Sequence, residues 1–181
     1  MESSFKKYSF LSNEYVFSVA RIQPDNNIEM ILNSFTSYSP YLFVLVGNWS
    51  GSEYGIKLKK QFSGHSKLLL LDAIYDLREL NLLRSNCKIY LHGHSAGGTN
   101  PALVEAMNLG LPIFAFNNNF NRHTTNEGAF YFDDSLEISN LINKFTNEEL
   151  NSIGIRMGKF AKENYQWKLI AEKYASIIEL N

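Results

Sequence analysis

The sequence predicts an α/β protein built on a doubly wound parallel sheet, and three observations support this fold class. The chain has 181 residues, a length that suits one domain with a full hydrophobic core. Hydrophobic residues make up 45% of it, as in globular rather than disordered proteins. Short apolar runs alternate with amphipathic segments, and this alternation predicts parallel strands joined by right-handed crossovers, with helices on both faces.

The elements follow one another in a regular order. A strand is expected at residues 15–20, followed by a helix at 25–37 whose apolar residues recur at helical spacing. The continuous apolar run at 41–46 is typical of a strand buried on both faces. The other expected strands are 67–71, 87–92, 112–116 and 129–132, and the other helices are 53–62, 76–84, 101–109 and two or three between 135 and 180.

Composition, charge and the lengths of the apolar runs indicate how the chain is divided into domains and which classes of function it suits. We assign residues 1–13 to an N-terminal tail or linker remnant and residues 14–181 to a single Rossmann-like domain. The net charge of −1 gives no reason to expect a nucleic-acid surface. The apolar runs are too short to span a membrane, and Cys87, the single cysteine, fits a reducing compartment. We therefore expect a cytoplasmic protein, with peripheral attachment at the inner face of the cell membrane as a further option.

The densest functional signal is the loop that follows the strand at 87–92. Gly97 and Gly98 permit positive φ and a close approach of the backbone to a ligand. Thr99 and Asn100 add a hydroxyl and an amide, and Asn100 suits the N-cap of a helix. The N–H groups and the positive dipole at the N-terminus of that helix favour phosphate oxygens.

An acidic side chain follows one turn inside the same helix. Glu105 is placed to accept hydrogen bonds from sugar or ribose hydroxyls. Ligands of doubly wound sheets bind at the carboxyl ends of strands, near the topological switch point. A glycine-rich turn leading into a core helix would account for the glycines alone, but it accounts less well for the whole cluster at such an end.

The same loop matches a second motif. Gly93-His-Ser-Ala-Gly97 has the Gly-x-Ser-x-Gly form of the nucleophile elbow in α/β-hydrolases, with Ser95 as the nucleophile. A helix that started directly after Ser95 would contain Pro101, at a cost of about 3 kcal/mol. The triad would have to use Glu105 and His123, and Glu105 lies on the elbow's own helix. We keep an esterase as the less favoured alternative.

His92 and His94 form a His-x-His pair, but no further ligand is suitably spaced nearby. We therefore expect no metal site here. One histidine is expected to end the strand, and the other to line the loop.

The segment Gly98-Thr-Asn-Pro-Ala-Leu-Val-Glu-Ala-Met-Asn-Leu-Gly-Leu-Pro-Ile113 resembles the signature of the GT-B glycosyltransferases of family 4, P-x-x-x-E-A-M-x-x-G-x-P-[VI]. The form His-Ser-x-Gly-Gly-Thr-Asn-Pro, which starts at His94, resembles the subgroup that includes bacterial rhamnosyltransferases of capsule and O-antigen synthesis. The turn Val19-Ala-Arg-Ile-Gln-Pro-Asp-Asn-Asn27 is similar to the family's G-R-x-x-P-x-K-N. The resemblance covers nearly the whole chain.

The resemblance implies that the chain binds a nucleotide-diphosphate sugar. Arg21 would contact the diphosphate, the loop around Tyr75 would contact the base, and Glu105 would hold the ribose. Such enzymes need no metal or other cofactor, because helix N–H groups and basic side chains stabilise the leaving diphosphate. The residues implied in donor binding are Arg21, Tyr75, His94, Gly97, Gly98, Thr99, Asn100 and Glu105; no residue is assigned a catalytic role.

Two positions depart from the family's pattern. The family often has two glutamates, and the first of them would fall at Gly97. The lysine of the K-N turn falls at Asn26, which leaves less positive charge around the diphosphate. Either Arg21, His94 or groups outside this chain compensate, or the chain binds its donor weakly.

The resemblance also implies what lies outside this chain. The chain is expected to be the C-terminal half of a GT-B fold, with an N-terminal acceptor-binding domain or subunit as its partner. The isolated domain would then bind donor without transferring sugar to a glycan or lipid-linked acceptor in cell-surface polysaccharide synthesis. A non-catalytic nucleotide-sugar-binding subunit is a third possibility. The polar segment 117–128 is interpreted as a loop that is disordered or closes over the ligand.

Overall fold

The computed structural model describes residues 7–36 and 39–179 of the chain. Within these residues a six-stranded sheet has the strand order β3-β2-β1-β4-β5-β6, and every neighbouring pair is parallel. This is the strand order of the Rossmann fold. The predicted fold class, α/β with a doubly wound parallel sheet, is confirmed.

Strands and helices alternate along most of the chain. The strands are β1 (Tyr15–Val19), β2 (Leu42–Val46), β3 (Leu68–Leu71), β4 (Ile89–His92), β5 (Ile113–Phe116) and β6 (Phe130–Phe132). The α-helices are α1 (Ile28–Ser34), α2 (Glu53–Phe62), α3 (Leu77–Ser85), α4 (Pro101–Asn108), α5 (Asn119–Thr124), α6 (Ser135–Lys144), α7 (Asn147–Asn164) and α8 (Trp167–Glu179). Short 3₁₀ turns occupy Ser9–Ser12, Pro24–Asn26 and Trp49–Gly51.

The sheet separates two hydrophobic cores, because successive side chains of a strand point to opposite faces. Tyr15 and Phe17 of β1 enter one core, and Val16 between them enters the other. Helices α3, α4 and most of α7 cover the first face, whereas α1, α2 and α6 cover the second. Burial on both faces explains why β1 and β2 are almost continuously apolar in sequence.

The chain between β1 and α1 differs from the single helix predicted at 25–37. Pro24–Asn26 form a 3₁₀ turn, Asn27 has a left-handed backbone with φ of 52°, and α1 starts only at Ile28. A left-handed residue interrupts the helical repeat, and asparagine tolerates that conformation better than most side chains. Ser37, at the end of the predicted helix, lies outside the described residues.

The interpretation of segment 117–128 as a loop is wrong for its central part, which forms α5, whereas its closing over a ligand stays a prediction. The side chain of Asn118 caps this helix by accepting a hydrogen bond from the N–H of Asn121 at 2.8 Å. Asn121 and Thr124 are buried. Asparagine is among the strongest N-cap residues, so the polar composition here reflects capping and anchoring.

The segment before β1 packs on the domain. Tyr8 is buried, and its hydroxyl donates to Glu79 Oε1 at 2.8 Å; Lys7 pairs with the same carboxylate. The domain boundary at residue 13 stays a prediction. No helix in the described part of the chain is long and apolar enough to cross a membrane.

Candidate functional site

A cleft of about 560 Å³ opens at the carboxyl ends of β1, β2 and β4. It lies where the strand order reverses between β1 and β4, which is where doubly wound sheets bind their ligands. Its volume is in the range usual for small-molecule sites. Of the residues predicted from sequence, those that line it are Arg21, Tyr75, His94, Asn100 and Glu105.

The remaining predicted residues lie on the loop between His94 and Asn100 but do not line the cleft. Gly97 has a φ of 92°, which only glycine adopts readily. A Cβ built on Gly98 would meet no atom within 4 Å, so the packing of the protein itself does not require glycine there. The hydroxyl of Thr99 accepts from the hydroxyl of Thr124 at 3.4 Å and is therefore turned toward α5.

The first turn of α4 offers fewer free N–H groups than expected. Pro101 has none, the N–H of Ala102 donates to Asn100 Oδ1 at 2.9 Å, and that of Leu103 donates to the Asn100 carbonyl at 3.1 Å. By contrast, the amide of Gly98 makes no hydrogen bond within the part of the chain that is described. The free backbone donors therefore lie in the loop before the helix rather than at its N-terminus.

The turn at 24–27 holds the start of this loop. Asn27 Nδ2 donates to the Gly93 carbonyl at 2.9 Å, and both the backbone N–H and the hydroxyl of Ser95 donate to the Asp25 carbonyl at 2.8 Å. A Cβ on Gly93 would lie 2.3 Å from the Asn26 carbonyl oxygen. Glycine at this position is therefore what lets the loop approach the turn.

Helix α5 holds the loop from the other side. The side-chain amides of Asn118 and Asn121 each donate to the His94 carbonyl at 2.9 Å, and Asn121 also donates to the Phe116 carbonyl at 2.8 Å. Neither asparagine was predicted from the sequence to belong to the site. Their only local signal was the polar composition of the segment, which does not show that they face a loop more than twenty residues earlier.

The geometry does not support the esterase alternative. The Ser95 hydroxyl donates to the Asp25 carbonyl rather than to a histidine, so the contact between nucleophile and base is missing. Helix α4 begins at Pro101, and Ser95 therefore does not stand at a turn directly from strand to helix. The carboxylate of Glu105 is paired with an arginine instead of a histidine.

That arginine, Arg84 on α3, was not predicted from the sequence to belong to the site. Its Nη1 lies 2.7 Å from Glu105 Oε2, and the Arg84 side chain is 2% exposed whereas that of Glu105 is 53% exposed. Nη1 also donates to Asn81 Oδ1 at 3.1 Å, and Nε has no partner among the described residues. The available signal was an arginine on the apolar face of a helix, four residues after the buried Leu80.

The two histidines lie where the sequence placed them. His92 ends β4 and His94 lies in the loop, and both line the cleft. Burial lowers the pKa of His92 to about 3, since the charged form would lose its hydration. His92 is therefore neutral at physiological pH, and its Nε2 has no partner within the described residues.

Asn26, which stands where the family's turn has lysine, connects the first strand's loop to His94. Its Nδ2 donates to the Arg21 carbonyl at 2.9 Å, and its Oδ1 lies 2.9 Å from His94 Nδ1. Asn26 is 5% exposed. Burial lowers the pKa of His94, and Arg21 lowers it further while the Asp25 carboxylate opposes the shift.

The outer edge of the cleft carries an exposed aromatic side chain. Tyr75 is 83% exposed, and the neighbouring Leu77 is 68% exposed. Both line the cleft. Across the described residues, no group of three or more His, Cys, Asp or Glu side chains could hold a metal ion; the expectation of a metal-free site stays a prediction.

Comparison with known proteins identifies the family. The model of the family described as glycosyl transferases group 1 matches residues 1–167. The chain therefore belongs to the group 1 glycosyl transferases. Among curated proteins, none matches the chain well enough to be a relative.

Solved structures share the fold at low sequence identity. HepE of Anabaena in complex with UDP-glucose matches with a TM-score of 0.84 and 18% identity over 99% of this chain and 52% of HepE. A sucrose-phosphate synthase from Thermosynechococcus elongatus matches with a TM-score of 0.83 and 14% identity over 99% of this chain and 48% of the synthase. The chain spans about half the length of each of these two proteins.

Proposed function

We propose that this chain is the donor domain of a glycosyltransferase that builds cell-surface polysaccharide, such as capsule or lipopolysaccharide, and that it belongs to the rhamnosyltransferase-like subgroup of family 4. One observation carries the proposal: the cleft at the switch point combines a cation, a carboxylate and an adjoining loop with free amides around a space of ligand size. HepE, which shares the fold, was solved with UDP-glucose and with UDP, which supports a nucleoside-diphosphate sugar as donor.

The diphosphate would lie between Arg21 and the loop before α4. Arg21 is exposed and lines the cleft, and its guanidinium offers several donors of fixed geometry to phosphate oxygens. Among the described residues the amide of Gly98 makes no hydrogen bond, and the space that a Cβ of Gly98 would take is empty, so an anion can approach the backbone there. Together these groups would stabilise negative charge on the leaving diphosphate without a metal ion.

The nucleoside would lie toward the other end of the cleft. The half-exposed side chain of Glu105 forms an ion pair with Arg84 through Oε2 and keeps its other carboxylate oxygen for ribose hydroxyls. The exposed ring of Tyr75 at the edge of the cleft supplies a flat surface for the base. Asn100, whose Oδ1 caps α4, orients the loop between these two ends.

The partner of this domain would be an N-terminal acceptor-binding domain or subunit. The chain spans about half of the solved glycosyltransferases that it resembles. In the proposal this domain binds the donor but does not transfer its sugar alone, and a glycan or lipid-linked acceptor binds to the partner. A non-catalytic subunit with the same donor site is the alternative.

Calorimetric titration with UDP, dTDP and GDP tests the proposal. One of these should bind, and Arg21→Ala should weaken it about tenfold or more, because charge-assisted hydrogen bonds contribute about 1.5–3 kcal/mol. Arg78→Ala, an exposed arginine outside the cleft, is the matched control and should bind as the unaltered chain does. A folded sample that binds none of the three nucleotides would overturn the proposal.

A further inference from the structure

The hydrogen bonds of Asn26 fix the orientation of its side-chain amide. Its Nδ2 lies 2.9 Å from the Arg21 carbonyl oxygen. A carbonyl oxygen can only accept, so the NH₂ group must be on that side and Oδ1 must be on the other. Oδ1 therefore faces Nδ1 of His94 at 2.9 Å.

This orientation determines which nitrogen of His94 carries the proton. Oδ1 of an amide can only accept, so Nδ1 of His94 must donate. A neutral imidazole has one N–H, and Nε2 is then left with a lone pair. Among the described residues nothing donates to this Nε2, and it lies 3.5 Å from where a Cβ of Gly97 would be. The missing side chain at Gly97 keeps the acceptor accessible.

The surroundings of His94 favour the neutral form of its ring, chiefly because the ring is partly buried. Burial lowers the pKa of His94 and Arg21 lowers it further, against the opposing effect of Asp25. The ring of His92, centred 6.0 Å away, is also neutral because burial lowers its pKa to about 3. The groups that approach from α5 are uncharged amides that bind the backbone carbonyl of His94.

We propose that Asn26 is a positioning residue that holds His94 in its Nδ1–H form, so that His94 Nε2 accepts a hydrogen bond from a hydroxyl of the donor's sugar. The inference rests on the proposed function, in which the loop of His94 and Gly97 lies near the diphosphate and sugar, while Tyr75 and Glu105 take the nucleoside. Where the turn of the family has a lysine cation, this chain has Asn26, which holds the neutral ring of His94. The acceptor is then Nε2 of His94.

Nuclear magnetic resonance of the chain labelled with ¹⁵N-histidine tests the tautomer directly. Long-range ¹H–¹⁵N correlations should show the proton of His94 on Nδ1, with the signal assigned by its loss in His94→Phe. Asn26→Leu should move His94 toward the Nε2–H form that predominates in free histidine. Asn33→Leu, at an exposed position on α1, should leave His94 unchanged. A proton on Nε2 in the unaltered chain would overturn the inference, as would no change in Asn26→Leu.

A binding comparison tests whether the donor uses this acceptor. Affinities are measured for UDP-glucose against UDP and for dTDP-glucose against dTDP. His94→Phe and Asn26→Leu should reduce the affinity gained from the sugar by about two- to tenfold, as expected for one hydrogen bond, with little change for the nucleotide alone. Asn26→Asp should raise the pKa of His94, so its sugar-dependent affinity should fall as the pH is lowered and Nε2 becomes protonated.

The outcomes separate this inference from the proposed function. Nucleotide binding with a sugar contribution that is unchanged in the variants would overturn the inference and leave the donor site standing. Absence of all nucleotide binding would overturn the proposed function and the hydroxyl contact with it, and the tautomer of His94 would still be decided by the resonance experiment.

Discussion

Arg84 and Glu105 form an ion pair whose two members differ strongly in exposure. The side chain of Arg84 is 2% exposed, that of Glu105 is 53% exposed, and Nη1 and Oε2 are 2.7 Å apart. A buried charge without its partner is costly, whereas an exposed carboxylate without its partner is hydrated by water. The effects of the two single substitutions should therefore be unequal.

Glu105→Gln should lower the free energy of unfolding by about 3 kcal/mol, because it leaves the buried guanidinium uncompensated. Arg84→Met should change it by less than about 1 kcal/mol, since the methionine fills the same apolar surroundings and the remaining carboxylate is solvated. The double variant should resemble Arg84→Met. Urea unfolding followed by tryptophan fluorescence measures all of these.

Equal losses from the two single substitutions would contradict this account of the pair. The same asymmetry shows how the ligand role of Glu105 should be tested. In the Arg84→Met background, Glu105→Gln should weaken nucleotide binding without changing stability, so a loss of affinity there reports contact with the ligand rather than unfolding.

Two glycines of the loop should respond differently to alanine. Gly93→Ala places a Cβ 2.3 Å from the Asn26 carbonyl and should lower the free energy of unfolding by about 1–3 kcal/mol. Gly98→Ala meets no neighbour and needs no left-handed backbone, so stability should hold while nucleotide affinity falls severalfold as the methyl obstructs the free amides. Calorimetry and thermal unfolding measure both; unchanged affinity in Gly98→Ala would remove this loop from the proposed donor site.

The anchoring of α5 to the loop should depend on Asn121. Asn121→Ala removes the hydrogen bond to the Phe116 carbonyl and one of the two side-chain hydrogen bonds to the His94 carbonyl, and should lower the free energy of unfolding by about 2 kcal/mol. Asn119→Ala, at an exposed position two residues earlier, is the control and should stay within about 0.5 kcal/mol. Chemical denaturation compares them. Similar values for the two variants would show that the Asn121 contacts contribute little.

The stability of the domain should fall with acid through His92. Burial lowers the pKa of His92 from 6.5 to about 3 in the folded protein. Between these values the unfolded state binds the extra proton, so the free energy of unfolding decreases as pH falls, with a slope of up to about 1.4 kcal/mol per pH unit. Above the unfolded pKa this contribution is constant.

His92→Phe should remove this contribution because phenylalanine does not titrate. The difference in unfolding free energy between the unaltered chain and the variant is measured by urea denaturation from about pH 4.5 to about pH 7.5. The difference should shift in favour of the variant as pH falls below about 6.5. His65→Phe, at an exposed position, should keep the original slope. A parallel pH dependence in His92→Phe would mean that other groups cause the acid sensitivity.

The sequence predicted the parts of this protein that depend on local order. The helix at 53–62 was predicted with the bounds that the structure shows, although Gly55 interrupts its sequence. The fold class followed from the alternation of apolar runs and helices, since strands buried on both faces must be apolar throughout. The loop containing Gly97 and Asn100 was singled out because its residue types follow a strand directly.

Tertiary structure decided which side chains hold that loop and how. The pairing of Arg84 with Glu105 and the contacts of Asn121 and Asn26 with the His94 loop join residues that lie 21, 27 and 68 positions apart. A single charged or amide side chain produces no periodic pattern in the sequence. Its partner is set by the register of the strands and the packing of the helices. The sequence by itself determined the sheet and the position of the candidate site, because hydrophobic periodicity is local. Only the fold decided the tautomer of His94 and the partner of Glu105, because hydrogen bonds and ion pairs need atoms within about 3 Å of each other in space.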